Sequence, residues 1–225
     1  MIASLRQIAL LTGKDLRIES RSRQTLGLVS VLGILIVAVL GLGLGAHNQV
    51  AAFGATAVLW VAYLFSGVLC FEKTMAVERN DGVLAALLMA PLDRGIIYLA
   101  KLLSNLLLML AVAAIVTPVG ILFFGFDLTA APLTFAGVMS LSMLGFAAVG
   151  TLFAAVISST RLQGGLLAMM VFPISLPLVI ASTQMMLRTF RDGAGPGMTG
   201  MGILLAFDVI FLTVSWLVFE WVLEP

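Results

Sequence analysis

The charged side chains of this sequence are concentrated in one segment, residues 71–94, with the sequence FEKTMAVERNDGVLAALLMAPLDR. Seven charged residues lie within it, whereas residues 24–71 and 102–126 contain no Asp, Glu, Lys or Arg. Its charges precede an apolar run, residues 83–90, which Pro91 ends. This order is typical of a short amphipathic helix that docks into a groove of a partner protein, and a simple solvated linker is the alternative. The charged residues expected to fix the register of that contact are Glu72, Lys73, Glu78, Arg79 and Asp81.

One acidic residue, Asp208, lies inside an apolar segment, AFDVIFLTV. It is about seven residues, on the order of 10 Å, from the predicted outer end of its helix. Because a charge inside a membrane is costly and is usually kept for function, Asp208 is a candidate proton relay. A protonated or hydrogen-bonded acid that joins two helices is the alternative. A single acid gives a proton relay little support.

Other chemistry is limited by the residue types present. With one histidine and one cysteine, a single chain cannot form a His/Cys metal cage or a CxxCH haem-attachment site, so we predict no metal site. His47 is a candidate axial haem ligand or a solvated loop residue. No Walker A sequence, GxxxxGKS or GxxxxGKT, occurs, and we predict no ATPase site and no catalytic residue in this chain. Any energy input must therefore come from a partner or from an ion gradient.

The elements that position these residues are predicted to be membrane-spanning helices. Of the 225 residues, 61% are hydrophobic and 10% are charged, against about 25% charged residues in a typical soluble domain. Continuous apolar runs of about 20 residues, without alternation, favour helices over a barrel. The six predicted spans are residues 25–45, 50–70, 97–124, 133–157, 162–187 and 201–223. The fold is therefore all-α, with one membrane domain over residues 1–225, and the net charge of +1 gives no reason for a nucleic-acid partner.

Orientation is predicted from the basic residues that flank the spans. Six spans place both termini on one side, together with the loop formed by residues 71–96. That side carries ten basic residues, namely Arg6, Lys14, Arg17, Arg21, Arg23, Lys73, Arg79, Arg94, Lys101 and Arg161, against Arg188 and Arg191 on the other. Both termini are therefore expected in the cytoplasm. Residues 1–24 have apolar positions at helical spacing among basic ones, which predicts a helix on the cytoplasmic membrane surface, with an irregular basic tail as the alternative.

Two local patterns concern helix shape and packing. Pro173 and Pro177 lie four residues apart in the fifth span, so this helix is expected to be kinked or interrupted near the middle of the membrane. Small residues recur at the spacing of helix contacts, as in the pair Gly41 and Gly45. Such faces predict close packing against another helix of this chain, a second copy or a different subunit.

The loop residues also carry a family resemblance. The pattern E-x3-G-x-L-x2-L-x3-P-x9-K, formed by Glu78, Gly82, Leu84, Leu87, Pro91 and Lys101, resembles the cytoplasmic loop of type-2 ABC-transporter permeases. The longer strings KDLRIESRSR, FEKTMAVERNDGVLAALLMAPLDR and FDVIFLTVSWLVFEWVLEP are similar to the haem exporter protein B (CcmB) family, the permease of cytochrome c maturation. This second resemblance runs from end to end.

The resemblance implies a bacterial inner-membrane protein that assembles with a cytoplasmic ABC ATPase subunit. It also implies a haem-handling membrane protein, a small single-span subunit and a periplasmic haem chaperone as partners. Haem is then the cargo of the complex, and ATP binds the partner subunit. The residues that the resemblance assigns to the ATPase-contacting loop are Glu78, Arg79, Asp81, Gly82 and Pro91. No haem ligand is carried over, because this chain lacks the tryptophan-rich segment and paired histidines of haem-handling partners.

Three functions remain open from the sequence. The chain is a permease that passes haem outward, or a mechanical transducer or scaffold that releases the haem-loaded chaperone from a neighbouring subunit. The scarcity of polar residues in the spans favours the transducer mildly, since a porphyrin with propionates would need internal cations. A proton-coupled carrier that uses Asp208 is the third and weakest reading.

Overall fold

The protein is a bundle of helices, seen in a computed structural model that describes residues 2–45, 49–80, 93–125, 128, 131–159, 165–193, 195 and 197–222. No strand occurs in these residues. The helices of the described part are α1 (Ile2–Ser22), α2 (Gln24–Gly43), α3 (Gln49–Asn80), α4 (Arg94–Phe124), α5 (Pro132–Ser159), α6 (Leu166–Asp192) and α7 (Met198–Val222). Helices α2 to α7 are each long and apolar enough to cross a membrane, which confirms the predicted all-α class with six spans.

The direction of the helices alternates along the chain. Ser66 of α3 donates a hydrogen bond to the carbonyl oxygen of Val29 in α2, while Gly54, near the start of α3, lies beside Leu44 at the end of α2. The pairs between α3 and α4, such as Tyr63 with Thr117 (2.8 Å), show the same antiparallel arrangement. Helix α4 is central, because it contacts α1, α2, α3, α5 and α7.

The N-terminal helix α1 packs against α4 at one end of the bundle, which we call the α1 end; the opposite end is the far end. The prediction of an N-terminal helix is confirmed. Its bundle-facing side includes polar contacts, since the buried Thr12 hydroxyl donates to the carbonyl oxygen of Ala100 at 3.2 Å, and Leu16 packs against the core. Leu5 and Leu10, by contrast, are exposed, as expected for a helix at a membrane surface.

The junction between α1 and α2 is held by a side-chain cap. Arg23 adopts the left-handed conformation, with a φ angle of 51°, and supplies no cap of its own. The backbone N–H of Leu26, in the first turn of α2, instead donates to the Glu19 carboxylate at 2.7 Å. Since the first N–H groups of a helix have no partner within it, Glu19 stabilises the start of α2 and fixes its angle to α1.

The second span is longer than the sequence predicts. The predicted helix ends at residue 70, with a loop from residue 71 to residue 96, whereas α3 continues to Asn80 and α4 already begins at Arg94. Residues 71–80 contain no Gly or Pro and are mostly good helix formers, so nothing in this stretch ends the helix. The apolar span itself is Gly54–Ala76, and the last turn of α3 projects beyond it.

Helix α6 is continuous through both of its prolines. The interruption that the sequence allowed near the middle of the membrane is therefore absent, and the kink stays a prediction. Pro173 and Pro177 both lie on the outward side of α6, where the side chains are exposed. The predicted packing role of Gly41 is also seen, because a Cβ atom at this position would lie 3.0–3.3 Å from the Phe123 side chain of α4.

Candidate functional site

Polar side chains of four helices meet at the α1 end of the bundle, within otherwise apolar surroundings. We call this group the polar network; it consists of Thr12 and Asp15 of α1, Thr74 of α3, Lys101, Ser104 and Asn105 of α4, and Thr151 of α5. It lies on the helices that precede and follow residues 81–92, which are outside the described residues: Thr74 is six residues before the end of α3, and Lys101 is seven residues after the start of α4. The network is therefore the best candidate for a functional site in the described part of the chain.

A buried ion pair joins α1 to α4 within the network. The Lys101 ammonium lies 2.6 Å from an Asp15 carboxylate oxygen, and Lys101 is only 5% exposed. The Ser104 hydroxyl lies 3.3 Å from the same oxygen and also hydrogen bonds to the carbonyl oxygen of Ala100. Lys14 pairs with the other Asp15 oxygen at 3.1 Å, but Lys14 is much more exposed. Charges removed from water are held in place by their partners, so the pair fixes the position of α1.

A second chain of hydrogen bonds joins α3, α4 and α5. The Thr74 hydroxyl donates to the Asn105 side-chain oxygen at 3.0 Å, and the Asn105 amide donates to the Thr151 hydroxyl at 2.9 Å. Asn105 is fully buried. Since an unpaired amide in an apolar interior costs about 1–3 kcal/mol, these bonds keep the three helices in one register.

The first turns of α4 are tied to α5 and α7 as well. Asp93 caps α4 by accepting a hydrogen bond from the Gly95 N–H at 2.9 Å. Gly95 leaves room for the Trp216 ring of α7, because a Cβ atom there would lie 2.9 Å from Trp216 Cδ1. The hydroxyls of Tyr98 and Ser215 both donate to the carbonyl oxygen of Ala148, in α5. A displacement of the start of α4 must therefore move α5 and α7.

The predicted contact residues are placed only in part. Glu72 and Lys73 are exposed on α3, at the α1 end. Glu78 and Arg79 lie in the last turn of α3, but their side chains are outside the described part of the structure. Residues Asp81, Gly82 and Pro91 lie outside the described residues, as does His47. Their assignment to a partner contact, or to haem in the case of His47, stays a prediction.

Asp208 is buried in the bundle, away from the polar network. It is 3% exposed, and neither carboxylate oxygen has a hydrogen-bond partner within the residues described. Its carboxylate lies against Gly145 of α5, beside Leu178 of α6 and Phe207. In the described part, Asp208 thus fills space between three helices and does not form the hydrogen bond between helices that the sequence allowed.

Most of the network was not predicted from the sequence. Lys101 was expected as a basic residue near the end of a span and as the last residue of the loop pattern, and Asp15 and Asn105 were not singled out. One usable signal was present: Lys101, Ser104 and Asn105 lie at helical positions i, i+3 and i+4 and share one face of an apolar helix. Polar residues on one face of a span usually face other helices. In the described ranges, no group of three or more His, Cys, Asp or Glu residues could hold a metal ion.

Six spans with a polar network at one end define a multi-pass α-helical membrane protein. Residues 6–224 match the CcmB protein family, and the chain belongs to this family. It is 30% identical over 206 residues to "Heme exporter protein B" of Paracoccus denitrificans, which covers 90% of this chain and 91% of the relative. The protein of the same name from Pseudomonas aeruginosa is 26% identical over 176 residues, 76% of this chain and 77% of the relative. The predicted membership is therefore confirmed.

The ion pair leads to a prediction about stability. Asp15→Leu removes the carboxylate next to Lys101 and should lower the free energy of unfolding by about 3–5 kcal/mol, because a buried charge loses its nearest partner. Lys101→Met should do the same, and the double variant should recover most of the loss. The free energies of unfolding of the wild type, the two single variants and the double variant are measured in mixed micelles and compared as a double-mutant cycle. Lys14→Met is the control and should cost less than about 1 kcal/mol, since its pair is exposed; equal losses for Lys14 and Lys101 variants would contradict this assignment.

The packing around Asp208 leads to a second prediction. In Gly145→Ala, the new methyl group would lie 2.7 Å from Leu178 Cδ1 and 2.9 Å from Phe207 Cδ1, and it would also meet the Asp208 carboxylate. We expect a loss of about 1–3 kcal/mol in the free energy of unfolding, which is typical of overpacking. Gly137→Ala is the matched control on the same helix, because nothing lies within 4 Å of its Cβ position. If both variants unfold at the same temperature as the wild type, α5, α6 and α7 do not pack as described.

Proposed function

We propose that this chain is the membrane subunit of an ABC-type complex that exports haem for the biogenesis of c-type cytochromes. Membership of the CcmB family and the name "Heme exporter protein B" of its relatives support haem as the cargo. The coupling role is supported by the polar network. Its hydrogen bonds and ion pair hold α3 and α4, the helices before and after residues 81–92. Hydrolysis of ATP on a partner subunit supplies the energy, and this chain transmits the resulting movement.

The proposed orientation places the α1 end in the cytoplasm of a bacterium, with the six spans in its inner membrane. The distribution of basic residues supports it, because α1 carries Arg6, Lys14, Arg17 and Arg21, whereas α6 carries Arg188 and Arg191 near the far end. The projecting last turn of α3 then lies on the side where ATP is available. A cytoplasmic ATPase subunit would bind residues 71–94, including Glu72, Lys73, Glu78, Arg79, Asp81, Gly82 and Pro91.

Movement of that segment would reach the rest of the bundle by two routes. The extended helix α3 carries Thr74, which is joined through Asn105 to Thr151 of α5. The start of α4 is joined to α1 by the Lys101 ion pair and to α7 by the packing of Trp216 on Gly95. Because packed and hydrogen-bonded helices shift together, a small displacement at the α1 end is carried to the far end.

The second candidate is a transducer that moves no haem itself and releases the loaded periplasmic chaperone from a neighbouring haem-handling subunit. The bundle interior favours it, since Lys101 and Asp208 are the buried charged residues in the described part of the chain. An internal path for a molecule with two carboxylates needs cations along its length. Export by this chain therefore requires a route along its outer surface. The proton-coupled carrier has less support, because Asp208 is the one buried acid in the described part of the chain.

The proposed partners are those of a multi-subunit complex: an ABC ATPase, a haem-handling membrane protein, a small single-span subunit and a periplasmic haem chaperone. A second copy of this chain is a further proposed neighbour. The outward faces of α2 and α7 carry large exposed apolar side chains that suit contact with lipid or with another span.

The ATPase contact is tested by charge reversal in the loop. Glu78→Lys combined with Asp81→Lys should reduce the amount of ATPase subunit that purifies with this chain by about tenfold or more, because like charges would then oppose across the interface. The midpoint of thermal unfolding should not change. Arg6→Gln removes an exposed charge of α1 and serves as the control. Unchanged recovery of the ATPase with the double variant would place its docking surface elsewhere.

The permease and the transducer predict different amounts of haem on the periplasmic chaperone when this chain is missing. In a strain that lacks this chain but keeps its partners, we expect no covalent haem on the periplasmic chaperone, because delivery itself should stop. The measurement is haem staining of the chaperone after denaturing electrophoresis, with reintroduction of the wild-type gene as the control. Haem-loaded chaperone that accumulates while cytochromes stay unfilled would refute export and support the transducer.

A further inference from the structure

A cleft opens sideways between α6 and α7 and extends to the far end of the bundle. Its volume is about 700 Å³. The polarity and charge of the cleft are set on one wall by residues of α6, namely Pro173, Pro177, Ile180, Gln184 and Arg188. Ile203 of α7 lies on the other wall. Pockets of this volume are typical of small-molecule and cofactor sites. The cleft shares no residue with the polar network or with Asp208.

The five α6 residues named above lie on one face of the helix. Their spacing of four, three, four and four residues is that of a single helical stripe, and all five side chains are exposed. The opposite face of α6 is buried, for example at Leu178 and Ser182. From Pro173 to Arg188 the stripe is about 22 Å long at 1.5 Å per residue. The cleft is therefore an outward-facing groove long enough for an extended or flat ligand.

The chemistry of the groove changes along its length. Pro173, Pro177 and Ile180 make one end apolar, whereas Gln184 and Arg188 follow on successive turns toward the far end. A polar amide on the lipid-facing side of a span is costly unless it has a partner. The Arg188 side chain lies across the start of α7, because a Cβ atom at Gly197 would be 2.9 Å from its Nη1 atom. The groove thus offers an apolar floor with a cation at one end.

This gradient fits a ligand with an apolar body and carboxylates at one edge. A guanidinium binds a carboxylate through two parallel hydrogen bonds, and the start of α7 adds partial positive charge nearby. No histidine or cysteine lines the cleft in the described residues; Met185 does, but it is 2% exposed and its sulfur lies against Gly200 of α7. Recognition would rest on the macrocycle and its carboxylates.

We propose that haem lies in the groove between α6 and α7, with its propionates at Arg188 and Gln184 and its macrocycle over Pro177 and Ile180. This inference rests on the proposed export function and gives it a route along the outer surface, since the described interior has few buried cations. An anionic phospholipid offers similar chemistry, an apolar body with a charged head, and serves as the competing outcome of the test.

The test uses the full chain in nanodiscs of zwitterionic lipid, with fluorescent iron-free protoporphyrin as the probe. Binding should be measurable by fluorescence anisotropy, and Arg188→Gln should weaken it by about tenfold or more, as expected for a lost charged hydrogen bond. Ile180→Trp should fill the groove and remove binding. Arg17→Gln, at the α1 end, is the matched control and should bind as the wild type does. Thermal unfolding of each variant shows whether it is folded.

The dimethyl ester of the same porphyrin identifies the carboxylate contact. The ester should bind the wild type as weakly as protoporphyrin binds the Arg188→Gln variant. The ester should also bind the wild type and the Arg188→Gln variant with equal affinity. Equal affinity of acid and ester for the wild type, or equal affinity of wild type and Arg188→Gln for the acid, would overturn the proposal. Loss of porphyrin binding on adding phosphatidylglycerol to the nanodiscs would also overturn it and assign the groove to lipid.

Failure of the groove proposal and failure of the export function give different results. If the deletion strain stops haem delivery but the nanodisc test fails, the export function stands and the groove is not its site. If porphyrin binds at Arg188 but the deletion strain accumulates loaded chaperone, the groove binds haem in a protein that does not export it.

Discussion

Polar side chains inside an apolar bundle must find partners, and this constraint decides how the helices of the protein fit together. In a membrane, lipid chains are as apolar as leucine, so burial of apolar surface does not select one helix arrangement over another. The choice of helix neighbours must therefore come from close approach of helix backbones and from pairs of polar side chains. Asp15 with Lys101 places α1 on α4, and Asn105 holds α3 and α5 at once. These contacts select the observed neighbours of α4 from the many that its apolar surface allows.

The polar contacts of the described residues are distributed unevenly between the α1 end of the bundle and α6. At the α1 end, side chains of different helices bond to one another. On α6, by contrast, the hydroxyls of Ser182 and Thr189 donate to carbonyl oxygens of their own helix, those of Leu178 and Met185. The described bonds of these two side chains therefore do not join α6 to its neighbours, and α6 is held there by packing. Helices held in this way slide more readily than helices joined by buried hydrogen bonds.

The sequence was sufficient to predict the spans but not the contacts between them. Long runs without charge reveal six helices, because hydrocarbon excludes almost everything else. The extension of α3 through residues 71–80 was missed, since a charged segment after a span looks like a loop when its helix propensity is ignored. Asp15 and Lys101 were missed for a different reason. They lie 86 residues apart, and each is a plausible surface charge when it is considered alone. The groove depends on the relative position of α6 and α7, which no local pattern encodes.

A physical connection links the last turn of α3 to the groove between α6 and α7, and it joins the two proposals into one mechanism. Helix α3 passes from its projecting last turn to Phe65, whose ring packs against the Phe172 ring of α6 at a centroid distance of 5.0 Å. Phe172 precedes Pro173, the first residue of the groove. The prolines remove backbone donors from this part of α6, so bending there breaks fewer hydrogen bonds than elsewhere in the helix. A displacement of α3 would therefore act on the part of α6 that bends most easily. This part lies next to the site where the cargo is proposed to bind.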